Sequence, residues 1–534
     1  MIPMPQATAE PAALPPLIAA LLDPARYPHA APAVELVETH ISWVLLAGEF
    51  AYKIKKPLAL GFLDFSTLEA RRHYCHEELR LNRATAPQLY LEVVSLTGSA
   101  AAPQFGGEDA PFEYALKMRR FAADALLDAV AHRGALDAAL VDRLAAVVAA
   151  FHDRCPRAGA AGSHGSLANV ALPALDNFTQ IAALGAPVAE RAQLAQLRAW
   201  TAAESTRLAP VFAARVVAGQ VRECHGDLHL GNIALIDGEP TPFDCIEFNP
   251  EFRWIDVMSE LAFLVMDLCD HGLPALAWRC LNRYLEAGGD YEGLAVLRYY
   301  LVYRAMVRAK IALIHARQPH GIAVRRADVR SFNHHLAVAA RFSRPAAPAL
   351  ILMHGLSGAG KTTVARALAE GIGAVRVRTD VERKRLYGLA ATAHSGSGAD
   401  AGIYTAAATQ RTYARLNDIA AMTLAAGWRI VVDAACLRRG DRARFRDTAL
   451  AAGVPLLLVR CTATDADLRE RLDRRAAEGG DASEATADLL ERQLRQLETP
   501  GSDEADALFV FDRRTAVADL IERVRARCDV TAMA

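Results

Sequence analysis

The sequence has no surplus of either charge: 60 Lys and Arg stand against 61 Asp and Glu, a formal net charge of −1. A chain without a global basic field carries no electrostatic footprint for nucleic acid or an anionic membrane, so neither is expected as a partner. Its nine cysteines include no CxxC pair and are odd in number, which argues against a disulfide framework or a zinc site and predicts reduced thiols. The first 25 residues hold no Lys or Arg, and no apolar run is long enough to span a bilayer. Neither an export signal nor a membrane anchor is expected, and the expected location is cytoplasmic. Internal repeats and long low-complexity blocks are also missing, which removes solenoids and extended disordered tracts.

What is present is a core-forming chain with 52% hydrophobic and 23% charged residues. At roughly 100–200 residues per domain, 534 residues predict two to four folded units. The clearest seam is Ser343-Arg-Pro-Ala-Ala-Pro348, where two prolines break any helix. The expected organisation is an N-terminal extension over 1–33, a domain over 34–342, a linker over 343–348 and a second domain over 349–534.

Before the seam, Ile41–Ala47 and Phe50–Lys55 read as strands, Thr67–Ala84 as a helix and Glu113–Arg119 as another strand. Ala122–Leu208 turns helical, a hairpin of Asn232–Ile236 and Thr241–Phe248 follows around Asp237-Gly238, and helices continue to about Ala340. After the seam, Ala349–His354, Ala374–Thr379, Arg429–Asp433, Leu456–Cys461 and Leu508–Phe511 are apolar strands separated by helical stretches. That alternation predicts an α/β unit with a parallel sheet behind an α+β unit.

Directly after the strand ending at His354 stands Gly355-Leu-Ser-Gly-Ala-Gly-Lys-Thr362, a full GxxxxGK[ST] match. Glycines at 355, 358 and 360 let backbone N–H groups turn inward around a phosphate, and the following helix adds its positive dipole end. The expected cradle is Gly355, Ser357, Gly358, Ala359, Gly360, Lys361, Thr362 and Thr363, with Lys361 on the β/γ-phosphates and Thr362 on Mg²⁺. Asp433, at a strand end, is a second candidate for the Mg²⁺ shell, with a helix cap or turn as its alternative role. Asp380 sits where a small hydroxyl acceptor would be oriented.

These residues resemble the AAA-type, ATP-binding P-loop kinases of the gluconate-kinase-like and zeta-toxin-like kind, over about Ala349–Arg527. The resemblance implies that Asp380 contacts the acceptor and that Thr379-Asp380 with Arg383 and Lys384 forms the substrate-side segment. It also implies an arginine-bearing lid at Leu468–Arg475, in which Arg471 and Arg475 neutralise phosphate charge, with Arg474 as a competing choice.

The second constellation is His225-Gly-Asp-Leu-His-Leu-Gly-Asn232, followed by Asp244 in Pro242-Phe-Asp-Cys-Ile-Glu-Phe-Asn249. Phosphoryl transfer needs a carboxylate to orient or deprotonate the acceptor hydroxyl and hard oxygen ligands for Mg²⁺. Asp227 is assigned the first task and Asn232 with Asp244 the second. A zinc pair at His225 and His229 is the weaker reading, because no third and fourth ligand stand at regular spacing. His225 reads as a structural histidine with Asp256 as its candidate carboxylate. Lys53 and Lys55 share one face of their strand, and Lys53 is the preferred phosphate cation, pinned by Glu78 or, second, Glu77.

Together these residues resemble the aminoglycoside phosphotransferase and choline-kinase group of the protein-kinase-like fold, over about Val34–Arg341. The turn Ala47-Gly48-Glu49 lacks a full GxGxxG, and the motif after the hairpin reads Phe-Asp-Cys rather than Asp-Phe-Gly. The whole arrangement resembles bacterial fusions of a phosphotransferase-like domain with a P-loop kinase-like domain. The implied function is transfer of the γ-phosphate of ATP, with Mg²⁺, to hydroxyls of small molecules at two sites. The alternative is an ATP-binding regulatory protein in which one kinase-like domain is inactive.

Overall fold

The computed structural model describes residues 14–60, 63–159, 162, 164–317, 322–344, 347–397, 401–478 and 487–530. The chain forms two compact units, the first of Met1–His271 and Tyr299–Ser343, the second of Gly272–Arg298 and Arg344–Ala534. The sequence reading grouped Gly272–Arg298 with the first domain, whereas the structure clusters it with the second. The reason is packing: Trp278 lies edge-on against Trp428 at 5.6 Å between ring centroids, and the indole of Trp428 donates to the Leu294 carbonyl at 3.0 Å.

In the first unit, six antiparallel strands run in the order Val34–Glu38, Ser42–Ala47, Phe50–Lys55, Glu113–Arg119, Tyr90–Ser99 and Ala102–Phe105. Ile18, Leu21 and Tyr27, read from sequence as part of an extension, share a core cluster with Leu45, Tyr52 and Ile54 of this sheet. Helix Leu68–Asn82 is started by Thr67, whose hydroxyl accepts the Ala70 N–H at 3.1 Å. The hairpin pairs Ile233–Ile236 with Glu239–Pro242 through Asp237 and Gly238, both at positive φ. The strand expected over Thr241–Phe248 therefore stops at Pro242; Asp244 itself has φ 66°, a left-handed conformation that no strand can hold. Helix Val257–Asp270 is buried from Val257 through Cys269, as an all-round apolar helix must be.

The second unit holds five parallel strands in the order Ala374–Arg378, Arg429–Asp433, Leu350–His354, Leu456–Cys461 and Leu508–Phe511. The apolar runs of the central strands Leu350–His354 and Arg429–Asp433 are buried on both faces, which is what a parallel sheet covered by helices requires. Helix Lys361–Ile372 presents Val364, Leu368 and Ile372 to this core, fixing its N-terminus beside the central strand. Among the described residues, no helix is long and apolar enough to cross a membrane, and all nine cysteines are free and buried.

Candidate functional sites

In the first unit the strand Phe50–Lys55 delivers Lys53 to two carboxylates. Its Nζ donates to Glu78 Oε1 at 2.6 Å and to Asp244 Oδ1 at 2.6 Å. Lys55, two residues on and on the same face, reaches the other oxygen of Glu78 at 2.7 Å and ends on Glu247. Of the two lysines only Lys53 meets Asp244 in a described ion pair, while Glu77 is taken up by Arg80 and Arg253. Burial works against the Lys53 charge, but Asp244 and Glu78 outweigh it and hold the ammonium well above the usual lysine range. Burial also opposes the Asp244 charge, and Lys53 outweighs it, keeping this carboxyl well below the ordinary range.

The segment from His225 to Asn232 folds back on itself. Asn232 Nδ2 donates to Asp227 twice, to the backbone oxygen and to Oδ2, both at 3.0 Å. The Asn232 carbonyl accepts the Phe243 N–H at 2.9 Å, and the His225 ring is 2.7 Å from the Phe243 carbonyl, so the loop bearing Asp244 is stitched to the loop bearing Asp227. His229 Nε2 lies 3.5 Å from Asp227 Oδ2. Burial pushes the Asp227 carboxyl up, but His229 outweighs it and holds the acid ionised below its usual range.

Asp256 is not the partner of His225: it is ion-paired with Arg215 and accepts the Met258 N–H at 2.9 Å. The carboxylate behind His225 is Glu260, fully buried, which accepts the N–H groups of His225 at 2.9 Å and Gly226 at 2.6 Å and meets His152 at 3.2 Å. Asp267 accepts the Leu230 N–H at 2.8 Å, and Arg304 donates to the Gly226 carbonyl at 3.0 Å. Sequence reasoning missed all three, because they lie on helices whose apolar pattern hides them and no spacing ties them to the motif.

With Asn232 donating through Nδ2, the ligand atom it offers a cation is its amide oxygen, and the other candidate ligand is the carboxylate of Asp244 on the stitched loop. That donor set is all oxygen and suits Mg²⁺.

In the second unit the loop 355–362 is shaped by contacts that exclude side chains. A Cβ at Gly355 would stand 2.4 Å from the Cys461 carbonyl oxygen, and one at Gly358, whose φ is 83°, 2.9 Å from that of Leu468. Lys361 Nζ donates to the Leu356 carbonyl at 2.8 Å, and Ser357 N–H donates to Gln493 at 2.7 Å. Ala359 is buried, Gly360 is left-handed, and Thr363 is exposed on the first turn of the helix. Thr362 Oγ1 donates to Asp433 Oδ1 at 3.4 Å.

The other carboxylate oxygen, Asp433 Oδ2, is buried with no hydrogen-bond partner, and burial raises this carboxyl above its ordinary value. A hydroxyl and a buried carboxylate with an unsatisfied oxygen form a donor set that fits Mg²⁺.

Asp380 lies half-buried in the first turn of helix Thr379–Arg385, close enough to Asp433 to raise its pKa. Arg383 and Lys384 are buried and donate to the carbonyls of Ile403 at 2.9 Å and Ala391 at 3.2 Å. Arg471 donates to the Gly358 carbonyl at 3.1 Å, which places it against the loop. Arg474 is exposed, and the side chain of Arg475 lies outside the described residues. Gln493 and the strand arginines Arg376 and Arg378 carried no sequence signal.

Residues 350–500 match the AAA_33 family, described as an AAA domain. Among solved structures, a gluconokinase from Sinorhizobium meliloti 1021 is 21% identical over 35% of this chain and 93% of its own, with a TM-score of 0.25. The APS kinase CysC of Mycobacterium tuberculosis, in complex with AMPPNP and APS, is 22% identical over 34% and 96%, with a TM-score of 0.24. An ethanolamine kinase of Plasmodium vivax aligns over 57% of this chain and 81% of its own at 8% identity and a TM-score of 0.35. Across both units, an uncharacterized protein of Mycobacterium tuberculosis is 31% identical over 463 residues, covering 86% of this chain and 90% of the relative. The chain therefore belongs to the same family as this mycobacterial protein and carries an AAA-type P-loop domain in its C-terminal part.

Proposed function

We propose that the protein is an ATP-dependent phosphotransferase with two magnesium-nucleotide sites, each passing the γ-phosphate to a hydroxyl of a small molecule. The observation that carries the reading is Lys53 held at 2.6 Å by both Glu78 and Asp244, beside a loop in which Asn232 holds Asp227. Lys55 also meets two carboxylates, Glu78 and Glu247, so what sets Lys53 apart is the identity of its second partner. Lys53 spans from a helix glutamate to the aspartate expected on the metal, which is the arrangement a nucleotide phosphate requires.

In the first unit Lys53, steadied by Glu78, faces the nucleotide phosphates, and Asn232 and Asp244 hold the metal. A magnesium ion held there by Asn232 and Asp244 would supply positive charge against the negative charge that develops during transfer. Asp227, kept ionised by His229, would accept a hydrogen bond from the acceptor hydroxyl, orient it, and take its proton as the hydroxyl oxygen bonds to the γ-phosphorus and the bond from that phosphorus to the departing ADP breaks. In the second unit the loop amides and Lys361 grip the phosphates, Thr362 and Asp433 hold the metal, and Asp380 faces the acceptor. Arg471, already against the loop, supplies compensating charge, with Arg475 following it by one helical turn.

Isothermal titration of ATP with Mg²⁺ into the full chain tests the reading. The expected stoichiometry is two, falling to one in Lys361→Ala, and Asp227→Asn removes ATP turnover with an acceptor panel at one site while leaving that stoichiometry at two. Absence of ATP binding, or binding indifferent to Lys361→Ala, overturns it.

A further inference from the structure

Helix Pro274–Gly288 lies outside the contiguous sequence of the P-loop domain, yet it belongs to the same compact unit. It lies along strand Ala374–Arg378, the edge of the parallel sheet. An edge strand leaves N–H and C=O groups without ladder partners. Asn282, buried, supplies them: its Nδ2 donates to the Ala374 carbonyl at 3.0 Å and its Oδ1 accepts the Arg376 N–H at 2.7 Å. The side-chain amide completes one rung of a ladder.

One helical turn further on the same face stands Glu286. It is 5% exposed, and its Oε1 accepts from Arg376 Nη2 at 2.5 Å. Its Oε2 is 3.9 Å from Arg378 Nη1. Arg376 and Arg378 share a face of the strand, and each reaches one of the expected magnesium ligands. Arg376 Nη1 donates to the Thr362 carbonyl at 3.4 Å, and Arg378 Nε lies 3.9 Å from Asp433 Oδ2. Two guanidinium groups beside a buried aspartate would cancel its charge and repel a dication. A glutamate between them, which also takes Arg283 on Oε2 at 3.2 Å, offsets part of that positive charge and leaves Asp433 Oδ2 without a hydrogen bond.

We propose that Glu286 is a positioning residue for the magnesium-ligating pair Thr362 and Asp433, acting through Arg376 and Arg378. The assignment rests on the reading of the loop 355–362 as a magnesium-nucleotide site. It makes the metal affinity of the P-loop site depend on a helix that the chain encodes more than 60 residues before that loop, since Glu286 precedes Gly355 by 69 positions.

The test uses the full chain and titrates ADP calorimetrically, first in EDTA and then at a series of Mg²⁺ concentrations. Glu286→Gln is expected to leave the metal-free ADP affinity within about twofold and to raise the Mg²⁺ concentration for half-effect about tenfold, because uncompensated guanidinium charge opposes the dication. Adding Arg378→Gln to it is expected to recover most of that loss. Asn282→Ala, which removes only the rung, is expected to lower the melting temperature and leave the Mg²⁺ half-effect in place. An unchanged Mg²⁺ half-effect in folded Glu286→Gln overturns the proposal, as does an equal shift in Asn282→Ala, which would make the helix mere support. Should Glu286→Gln not fold, Arg378→Gln alone decides: a lowered Mg²⁺ half-effect supports the proposal, and an unchanged or raised one overturns it. A parent protein that binds no ADP overturns the nucleotide reading itself, an outcome distinct from all of these.

Discussion

Glu260→Gln keeps the shape of a buried side chain and removes its charge. In the parent, the carboxylate accepts the backbone N–H groups of His225 at 2.9 Å and Gly226 at 2.6 Å, one on each oxygen. Glutamine offers an oxygen to only one of them, and its NH₂ turns toward the other donor. A hydrogen bond to a charged acceptor is worth about 1.5–3 kcal/mol net, and an unsatisfied buried amide costs about 1–3 kcal/mol, so a loss of about 3 kcal/mol is expected. For a unit of this size that corresponds to a fall of about 4–5 °C in its unfolding transition, measured by calorimetry.

The loss carries a pH signature. Burial pushes the Glu260 carboxyl up, but the hydrogen bond from His152 and the charges around it outweigh burial and lower its pKa. A depressed folded pKa stabilises above the unfolded value and ceases to do so as pH falls through the folded one. The gap between parent and variant should therefore be full at pH 7 and narrow as pH drops below about 4.5. A gap under about 0.5 kcal/mol at pH 7, or one that stays constant down to pH 3, would refute the role given to Glu260.

Two further outcomes are expected. Lys53→Met leaves Glu78 and Asp244 facing each other across a gap without their shared cation, and a loss of about 3–5 kcal/mol in stability is expected, together with loss of turnover at the first site; denaturant titration beside an ATPase assay reads both. His271 is 2.8 Å from Asp128, and although burial pushes its pKa down, Asp128 and Asp267 raise it to about 9. A raised folded pKa stabilises fully below about 6.5 and fades as pH rises through about 9. The parent should lose about 1–2 kcal/mol more than His271→Gln between pH 7 and 10, discounted for the exposure of Asp128; an equal slope in both rejects the pairing.

Local chemistry made the phosphate-facing side legible. The loop 355–362 needs its glycines where a Cβ would strike the Cys461 and Leu468 carbonyls, so the requirement is written in consecutive residues. The central parallel strands Leu350–His354 and Arg429–Asp433 are equally plain, being short, largely apolar runs buried along their length. Period two put Lys53 and Lys55 on one face, and both do reach Glu78. Where the chain leaves regular structure the signal fails. Phe243–Phe248 looks like a strand by composition, but Asp244 takes a left-handed backbone to turn its carboxylate to Lys53, and nothing in the neighbouring residues announces it. Asp256 stood near the motif in sequence and took Arg215 instead, because proximity along the chain does not order partners in a buried network.

The residues that hold the two sites have a common origin that explains why they were hidden. Glu260 and Asp267 sit on Val257–Asp270, and Asn282 and Glu286 on Pro274–Gly288, consecutive helices on either side of the point where the chain passes from one unit to the other. On an apolar helix a buried carboxylate costs several kcal/mol unless it is fully paired, so each of these must have an assigned donor, and each has one. Glu260 takes two backbone amides of the His225 loop, Asp267 takes Leu230, Asn282 takes the edge strand, and Glu286 takes Arg376. A polar residue on the buried face of a helix is thus the trace of a supporting contact. Its partner can be named only once the fold has brought the two segments together.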